Sequence, residues 1–300
     1  MKGLVIAGPT GVGKTELSLK LAEKLKIEII SSDSMQIYKE MNIGTAKISK
    51  EEMRTVKHHM IDVISPIEDY SVGDFEVSVN KILLDKEKQN ENIMLVGGTG
   101  LYINAVTEGI SQLPGKNLEI RKKLENKKLE ELQEILKKLD IESYNEIDIK
   151  NKIRLVRAIE VCEITEEKFS KLKRVNIKNN NFKFLKVLLI RGREELYERI
   201  NYRVDLMMKN GLLEEVKLIN DKYKEFRYKI SAIGYKELFD YFDRKKTLDE
   251  AIDEIKKESR RYAKRQLTWF RKQEDYFMYN LSDTSEEIIF SDILLKWKKF

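Results

Sequence analysis

Four short runs in the first third of the chain are apolar at nearly every position rather than at alternate ones. They are 3–7 (Gly-Leu-Val-Ile-Ala), 28–31 (Glu-Ile-Ile-Ser), 60–64 (Met-Ile-Asp-Val-Ile) and 93–96 (Ile-Met-Leu-Val). Strands of that pattern are buried on both faces, as in a parallel sheet covered by helices. Between them, 14–25 and 72–88 read as helices. Strand and helix in alternation predict an α/β fold. After Pro114-Gly115 the rhythm changes. Residues 118–139 set Leu124, Leu132, Ile135, Leu136 and Leu139 among Lys and Glu, which predicts one long amphipathic helix. A second helix is predicted at 152–164, followed by a polar link at 176–181. Strand character returns at 184–190, and the chain then reads as largely helical to about residue 277. The predicted organisation is a parallel-sheet core, 1–114 with 183–300, interrupted by a small all-helical insertion at 115–182.

Composition narrows the class. Of 300 residues, 41% are hydrophobic and 36% charged, enough to bury a core and too apolar for a disordered chain. The single cysteine, Cys162, excludes an internal disulfide and suits a reducing compartment. His58 and His59 are adjacent, and no second Cys or His cluster exists to complete a zinc site. No apolar run has membrane-spanning length, and the chain enters its first strand without an apolar leader, so the expected location is the cytoplasm. The net charge of +6 divides as −3 over 1–110, +6 over 111–190 and +3 over 191–300. A downstream cationic excess suits a polyanionic partner. A Lys-, Asn- and Ile-rich composition would produce the same excess without one.

Gly8-Pro9-Thr10-Gly11-Val12-Gly13-Lys14-Thr15 matches G-x-x-x-x-G-K-[ST] in full, between a predicted strand and a predicted helix. Glycines in such a loop turn backbone N–H groups toward an anion, and the helix N-terminus adds positive potential. Lys14 supplies a charge for the outer phosphates and Thr15 a hydroxyl for Mg²⁺. The motif predicts a diphosphate without saying whose. Asp33 stands at the end of the second predicted strand, on the edge where ligands of open α/β sheets bind. It also suits a turn or helix cap. The fourth predicted strand runs into Gly97-Gly98-Thr99-Gly100, which offers no carboxylate to a nucleotide's metal, and Thr99 could simply close the turn. His58 and His59 read as structural. Arg199 has Glu195 four residues before it, a surface pair, whereas Arg203 has no acidic neighbour at three or four residues and must find an anion elsewhere. Residues 256–272 hold Lys256, Lys257, Arg260, Arg261, Lys264, Arg265, Arg271 and Lys272 against one acid, Glu258. That helix predicts a phosphate-backbone surface, with Tyr262, Leu267 and Phe270 facing the core.

Taken in order, the phosphate loop, Ser32-Asp-Ser-Met-Gln-Ile-Tyr38, Met41-Asn-Ile-Gly-Thr-Ala-Lys47, His58-His-Met-Ile-Asp62, Tyr70-Ser-Val-Gly-Asp-Phe75 and Val96-Gly-Gly-Thr-Gly-Leu-Tyr102 resemble the tRNA dimethylallyltransferases. Ile153-Arg-Leu-Val-Arg-Ala-Ile-Glu160, Tyr197-Glu-Arg-Ile-Asn-Tyr-Arg203, Ala232-Ile-Gly-Tyr-Lys236 and the segment from Arg260 to Arg271 extend the likeness over nearly the whole chain. Ile48 stands where that family's proline is expected, and Ser259 where threonine is usual.

The resemblance implies a P-loop NTPase-like core and transfer of a dimethylallyl group from its diphosphate to N6 of the adenosine just 3′ of the tRNA anticodon. It implies Asp33, Arg203 and Thr99 as catalytic residues, residues 8–15 holding the diphosphate, and Mg²⁺ at Thr15. For tRNA it implies Asp33, Ser34, Met35, Gln36 and Thr99 around the extruded adenine, with Arg121 near the incoming strand. Ile153, Arg154, Leu155, Val156 and Arg157 of the insertion are further implied contacts. So are Ser231, Ala232, Ile233, Gly234, Tyr235 and Lys236, with Arg260, Lys264 and Arg265 of the basic helix. The expected partners are the anticodon stem-loop and dimethylallyl diphosphate, with no membrane, and the expected state is a monomer. An isopentenyltransferase for free adenine nucleotides and a small-molecule P-loop kinase are the alternatives. The insertion and the basic helix argue against the first, and the second requires ATP turnover.

Overall fold

The computed structural model describes all 300 residues. The chain divides into two compact units, 1–107 with 180–300, and 108–179. The first unit is built on a six-stranded sheet. Its strands are β1 (Lys2–Ala7), β2 (Glu28–Ser31), β3 (His58–His59), β4 (Ile93–Gly97), β7 (Lys183–Ile190) and β8 (Phe277–Asn280), in the order β3-β2-β4-β1-β7-β8 and parallel throughout. Leu4, Val5, Ile6 and Ala7 of β1 are fully buried, as a strand covered on both faces requires. One apolar layer joins alternate residues of the central strands to the helices Lys14–Leu25, Arg193–Lys209 and Glu286–Lys299. The opposite layer holds Val72–Lys88 and Gly100–Thr107. A further apolar cluster gathers Met41, Val204, Leu212, Tyr235 and Ile255 away from the sheet.

Register decides where chemistry can occur. Ala7 pairs with Gly97, and Ser31 with Val96, so β1, β2 and β4 end level. The segments that follow them therefore leave the same edge side by side.

Several elements differ from the sequence reading. The third strand is His58–His59, not 60–64, because Met60 and Asp62 have φ of 63° and 54°, a left-handed backbone no strand can carry. The predicted helix 118–139 is two helices, Leu118–Glu125 and Leu129–Leu139, broken at Asn126, the cap of the first. The unit 108–179 is not all-helical. β5 (Ile110–Ser111) and β6 (Asn176–Ile177) form an antiparallel ribbon across its two ends. That ribbon draws residues 108–114 into the unit, while 180–182 belong with the sheet unit, so its limits are 108 and 179 rather than 115 and 182. Around it, Leu124, Leu132, Leu136, Leu155 and Ile159 make a separate core.

Candidate active site

The loop after β1 turns sharply, with φ of 78° at Gly11 and 112° at Gly13. A side chain at Gly8 would meet the Leu189 carbonyl oxygen at 2.6 Å. Glycine alone accepts this path, which leads into the N-terminus of the Lys14–Leu25 helix. Lys14 folds onto its own loop, donating to the carbonyls of Gly8 and Pro9 at 2.8 Å each. Burial holds its pKa down to about 7, with Asp33 acting to raise it and Arg203 to lower it.

Three arginines grip the same loop. Arg203 donates to Thr10 Oγ1 at 3.2 Å, Arg199 to the Gly11 carbonyl at 3.0 Å and Arg191 to the Val12 carbonyl at 2.8 Å. The Arg199–Glu195 pair expected from the sequence is not formed. Glu195 pairs instead with Arg191, four residues on its other side, and also accepts the Ser282 hydroxyl. Arg199 is thereby left to reach the loop. The i, i+4 spacing of Arg199 and Arg203 on one helical face was the available signal.

Asp33 Oδ1 accepts the Met35 N–H at 2.8 Å, and Oδ2 has no protein partner. Thr99 Oγ1 accepts the Ser34 N–H at 3.2 Å. The Tyr262 hydroxyl faces Thr99 and Ser34, whose hydroxyls lie 3.5 Å apart, and burial together with Asp33 raises its pKa. Tyr262 is thus part of the site and not core packing. Thr10, Asp33, Ser34, Met35, Arg203, Tyr262 and Arg265 line one cavity of about 280 Å³, whose apolar wall includes Ile200, Val204 and Ile255. Ser231, Ala232, Ile233, Gly234 and Lys236 complete its rim. Asp33 also lines a smaller cavity of about 60 Å³ with Lys14, Thr15, Gln36 and His58.

Gln36 is used structurally. It accepts from Ser31 at 2.9 Å and donates to the carbonyls of Thr45 and Ala46. The segment it steadies is also held by Glu215, whose carboxylate accepts the N–H groups of Asn42, Ile43 and Gly44 and the Tyr235 hydroxyl. Tyr235 lies fully buried beneath Gly44, where a side chain would strike its ring at 2.5 Å. Its expected RNA contact is therefore corrected to a structural one. Asp62 pairs with Lys47 at 2.6 Å, and His59 with Glu28 at 2.6 Å.

In the helical unit, Ile153 is 79% exposed and Arg154 is also on the surface, whereas Leu155 and Val156 belong to the core and cannot present side chains to RNA. Arg121 and Arg157 both bind the buried Glu160 carboxylate, at 2.8 and 2.7 Å, and Arg157 also donates to the Pro114 carbonyl. Burial alone would raise Glu160; the two guanidinia and the Asn117 N–H outweigh it and hold its pKa at about 2. On the Leu248–Phe270 helix, Arg260 donates to Asn201 and Lys256 pairs with Asp205 at 2.6 Å. Lys264 is exposed without a charged partner, and Arg265, also exposed, lies over the Tyr262 ring.

Comparison with known proteins gives this arrangement relatives. The family model described as IPP transferase matches residues 36–273, a span that begins after the phosphate loop and so does not depend on it. A tRNA dimethylallyltransferase of Fusobacterium nucleatum is 51% identical over 292 residues, 97% of this chain and 96% of that protein. The crystal structure of a full-length tRNA isopentenylpyrophosphate transferase from Bacillus halodurans superposes with TM-score 0.73 at 38% identity, covering 99% of this chain and 97% of that one. A eukaryotic dimethylallyltransferase captured acting on tRNA gives TM-score 0.81 at 28% identity, over 94% of this chain and 75% of that one.

Proposed function

Since the chain belongs to the IPP transferase family, we propose that it transfers a dimethylallyl group from dimethylallyl diphosphate to N6 of the adenosine 3′ of the anticodon in tRNA. The observation that carries this reading is the position of Asp33. One carboxylate oxygen is unpartnered in a cavity that also contains Thr10 of the phosphate loop and Arg203. An exocyclic purine amine is a weak nucleophile and must lose a proton as its bond to carbon forms. Asp33 takes that proton while the carbon–oxygen bond to diphosphate breaks, a role worth ~10²–10⁴-fold in rate. Lys14 and Arg203 receive the charge that develops on the leaving diphosphate. Thr99 and Ser34, bonded to each other and faced by the Tyr262 hydroxyl, fix the wall beside the reacting groups. The base must leave the RNA stack to enter, and Ser34, Met35 and the 231–234 rim are the side of the cavity available to it.

The residues fit a divalent cation held largely by substrate oxygens. Thr15 shares the small cavity with Asp33, and no three carboxylate, imidazole or thiol groups converge as a protein-only site. Mg²⁺ at Thr15 would neutralise diphosphate charge. No helix is long and apolar enough to cross a membrane, and a tRNA substrate supports a cytoplasmic location.

The test is incubation with labelled dimethylallyl diphosphate and bulk tRNA lacking the modification. Label in RNA, with ATP neither required nor consumed, is expected. Label in free adenine nucleotides alone, or stoichiometric ADP release, would overturn the reading.

A further inference from the structure

The cationic Leu248–Phe270 helix presents a second face to the site. Tyr262, Gln266 and Trp269, spaced four and three residues apart, share one side of it. They meet three successive residues after β4. Tyr262 faces Thr99, Gln266 Nε2 donates to the Gly98 carbonyl at 3.0 Å, and the Trp269 indole lies where a side chain on Gly100 would meet it at 2.1 Å. Gln266 alone also reaches the phosphate loop, its Oε1 accepting the Thr10 N–H at 2.9 Å. It is 6% exposed. One partner is an acceptor and the other a donor, so a single orientation of the amide satisfies both. A side chain on Gly98 would lie 2.1 Å from Nε2, so glycine there is what admits the amide.

We propose that Gln266 is a positioning residue for the transfer reaction. It fixes the phosphate loop relative to the Thr99 turn, and hence the leaving diphosphate relative to Asp33 and the hydroxyls beside it. The inference rests on the prenyl-transfer reading and deepens it. A side chain bonded to only one of the two loops would stabilise the fold without setting their separation, and Gln266 spans both. In-line displacement is sensitive to that separation, since a small misplacement of reacting groups costs about 10²-fold in rate.

Gln266→Met preserves bulk and removes both hydrogen bonds. At saturating substrates its single-turnover transfer should slow by about 10–100-fold, with tRNA affinity within a few-fold of the original. Gln266→Glu gives a second reading through pH. A protonated carboxyl donates to Gly98 and accepts from Thr10 as the amide does, whereas an ionised one faces the Gly98 carbonyl with no proton to give. The ratio of its rate to that of the unaltered enzyme should therefore fall as pH rises, a dependence that mere loss of stability would not produce. A flat ratio near one, or a Met variant that is folded and fully active, overturns the proposal; if the Met variant does not fold, the Glu profile decides. If the unaltered enzyme itself moves no label into tRNA, the prenyl-transfer reading fails instead. Calorimetry with inorganic diphosphate then remains decisive: several-fold weaker binding by Gln266→Met or Gly98→Ala supports the link between the loops, and unchanged affinity in both removes it.

Discussion

At the residue scale the site is a division of labour among groups with different partners. Asp33 keeps one oxygen unpartnered in the cavity it shares with Arg203, so Asp33→Ala removes the proposed base along with the Met35 N–H acceptor and the charge facing Lys14. Its tRNA affinity should stay within a few-fold while single-turnover transfer slows by ~10²-fold or more; near-normal rates would reduce it to a turn residue. Lys14 makes a pH prediction. Its folded pKa is lowered to about 7 from the ordinary 10.5, so between those values the loop has lost a proton that the unfolded chain still holds. The lysine's contribution to stability therefore rises with pH across that window. Its contribution to binding runs the other way, because only the charged form attracts diphosphate. Affinity for a non-transferable prenyl diphosphate should decline as pH rises through about 7, and Lys14→Arg, which keeps its charge, should flatten the decline. Calorimetric titration across pH checks both. The placement of the phosphate loop and of Asp33 was legible in sequence because it is local, set by a strand end and a glycine pattern. Arg191, Arg199, Gln266 and the true place of Tyr262 were not, since each is defined by a partner far away in the chain.

At the element scale, the basic helix separates into cations that hold the fold and cations that face solvent. Lys256 and Arg260 bind the Arg193–Lys209 helix through Asp205 and Asn201, while Lys264 and Arg265 are exposed. Replacing Lys264 and Arg265 with Gln should lower the slope of log tRNA affinity against log salt by roughly 0.7–0.9 for each phosphate no longer neutralised. Diphosphate binding should be unchanged in the Lys264→Gln single variant, because Lys264 does not line the cavity whereas Arg265 does. Lys256→Gln should leave the slope as it was and lower stability instead. tRNA titrations at several salt concentrations distinguish these outcomes, and an unchanged slope in the double variant would place the RNA on another surface. The strands and the two long helices of the first third were readable from periodicity, with Lys14–Leu25 and Val72–Lys88 at the predicted bounds. The third strand was misplaced because left-handed Met60 and Asp62 leave no trace in hydrophobicity. β8 was missed because Phe277–Asn280 is short and half exposed, with its character set by pairing to β7.

At the scale of the whole molecule the helical unit has its own polar anchor. Glu160 is buried between Arg121 and Arg157, with its pKa lowered to about 2 from 4.5, so the stability it supplies is complete above 4.5 and lost as pH falls toward about 2. Glu160→Gln should destabilise the unit 108–179 by about 2–3 kcal/mol, because it removes the buried charge that both guanidinia bond. Faster amide exchange within 108–179, with undiminished diphosphate binding by the sheet unit, is the expected pattern. A uniform loss across both units would show that they do not melt separately. The alternation of runs along the chain announced an interrupted sheet, but not the strand order, which places β1 between β4 and β7. That order has a consequence for how the protein emerges from synthesis. By residue 97 the chain can pair one edge of β1, and the other edge must wait until β7 is made. An open parallel edge is a template for misassociation. Loop-closure entropy grows with the length of flexible chain between the partners. The β5–β6 ribbon joins the two ends of the intervening segment. Once that segment has folded, the search for β7 is across a short tether, and the nascent enzyme's exposed edge is closed early.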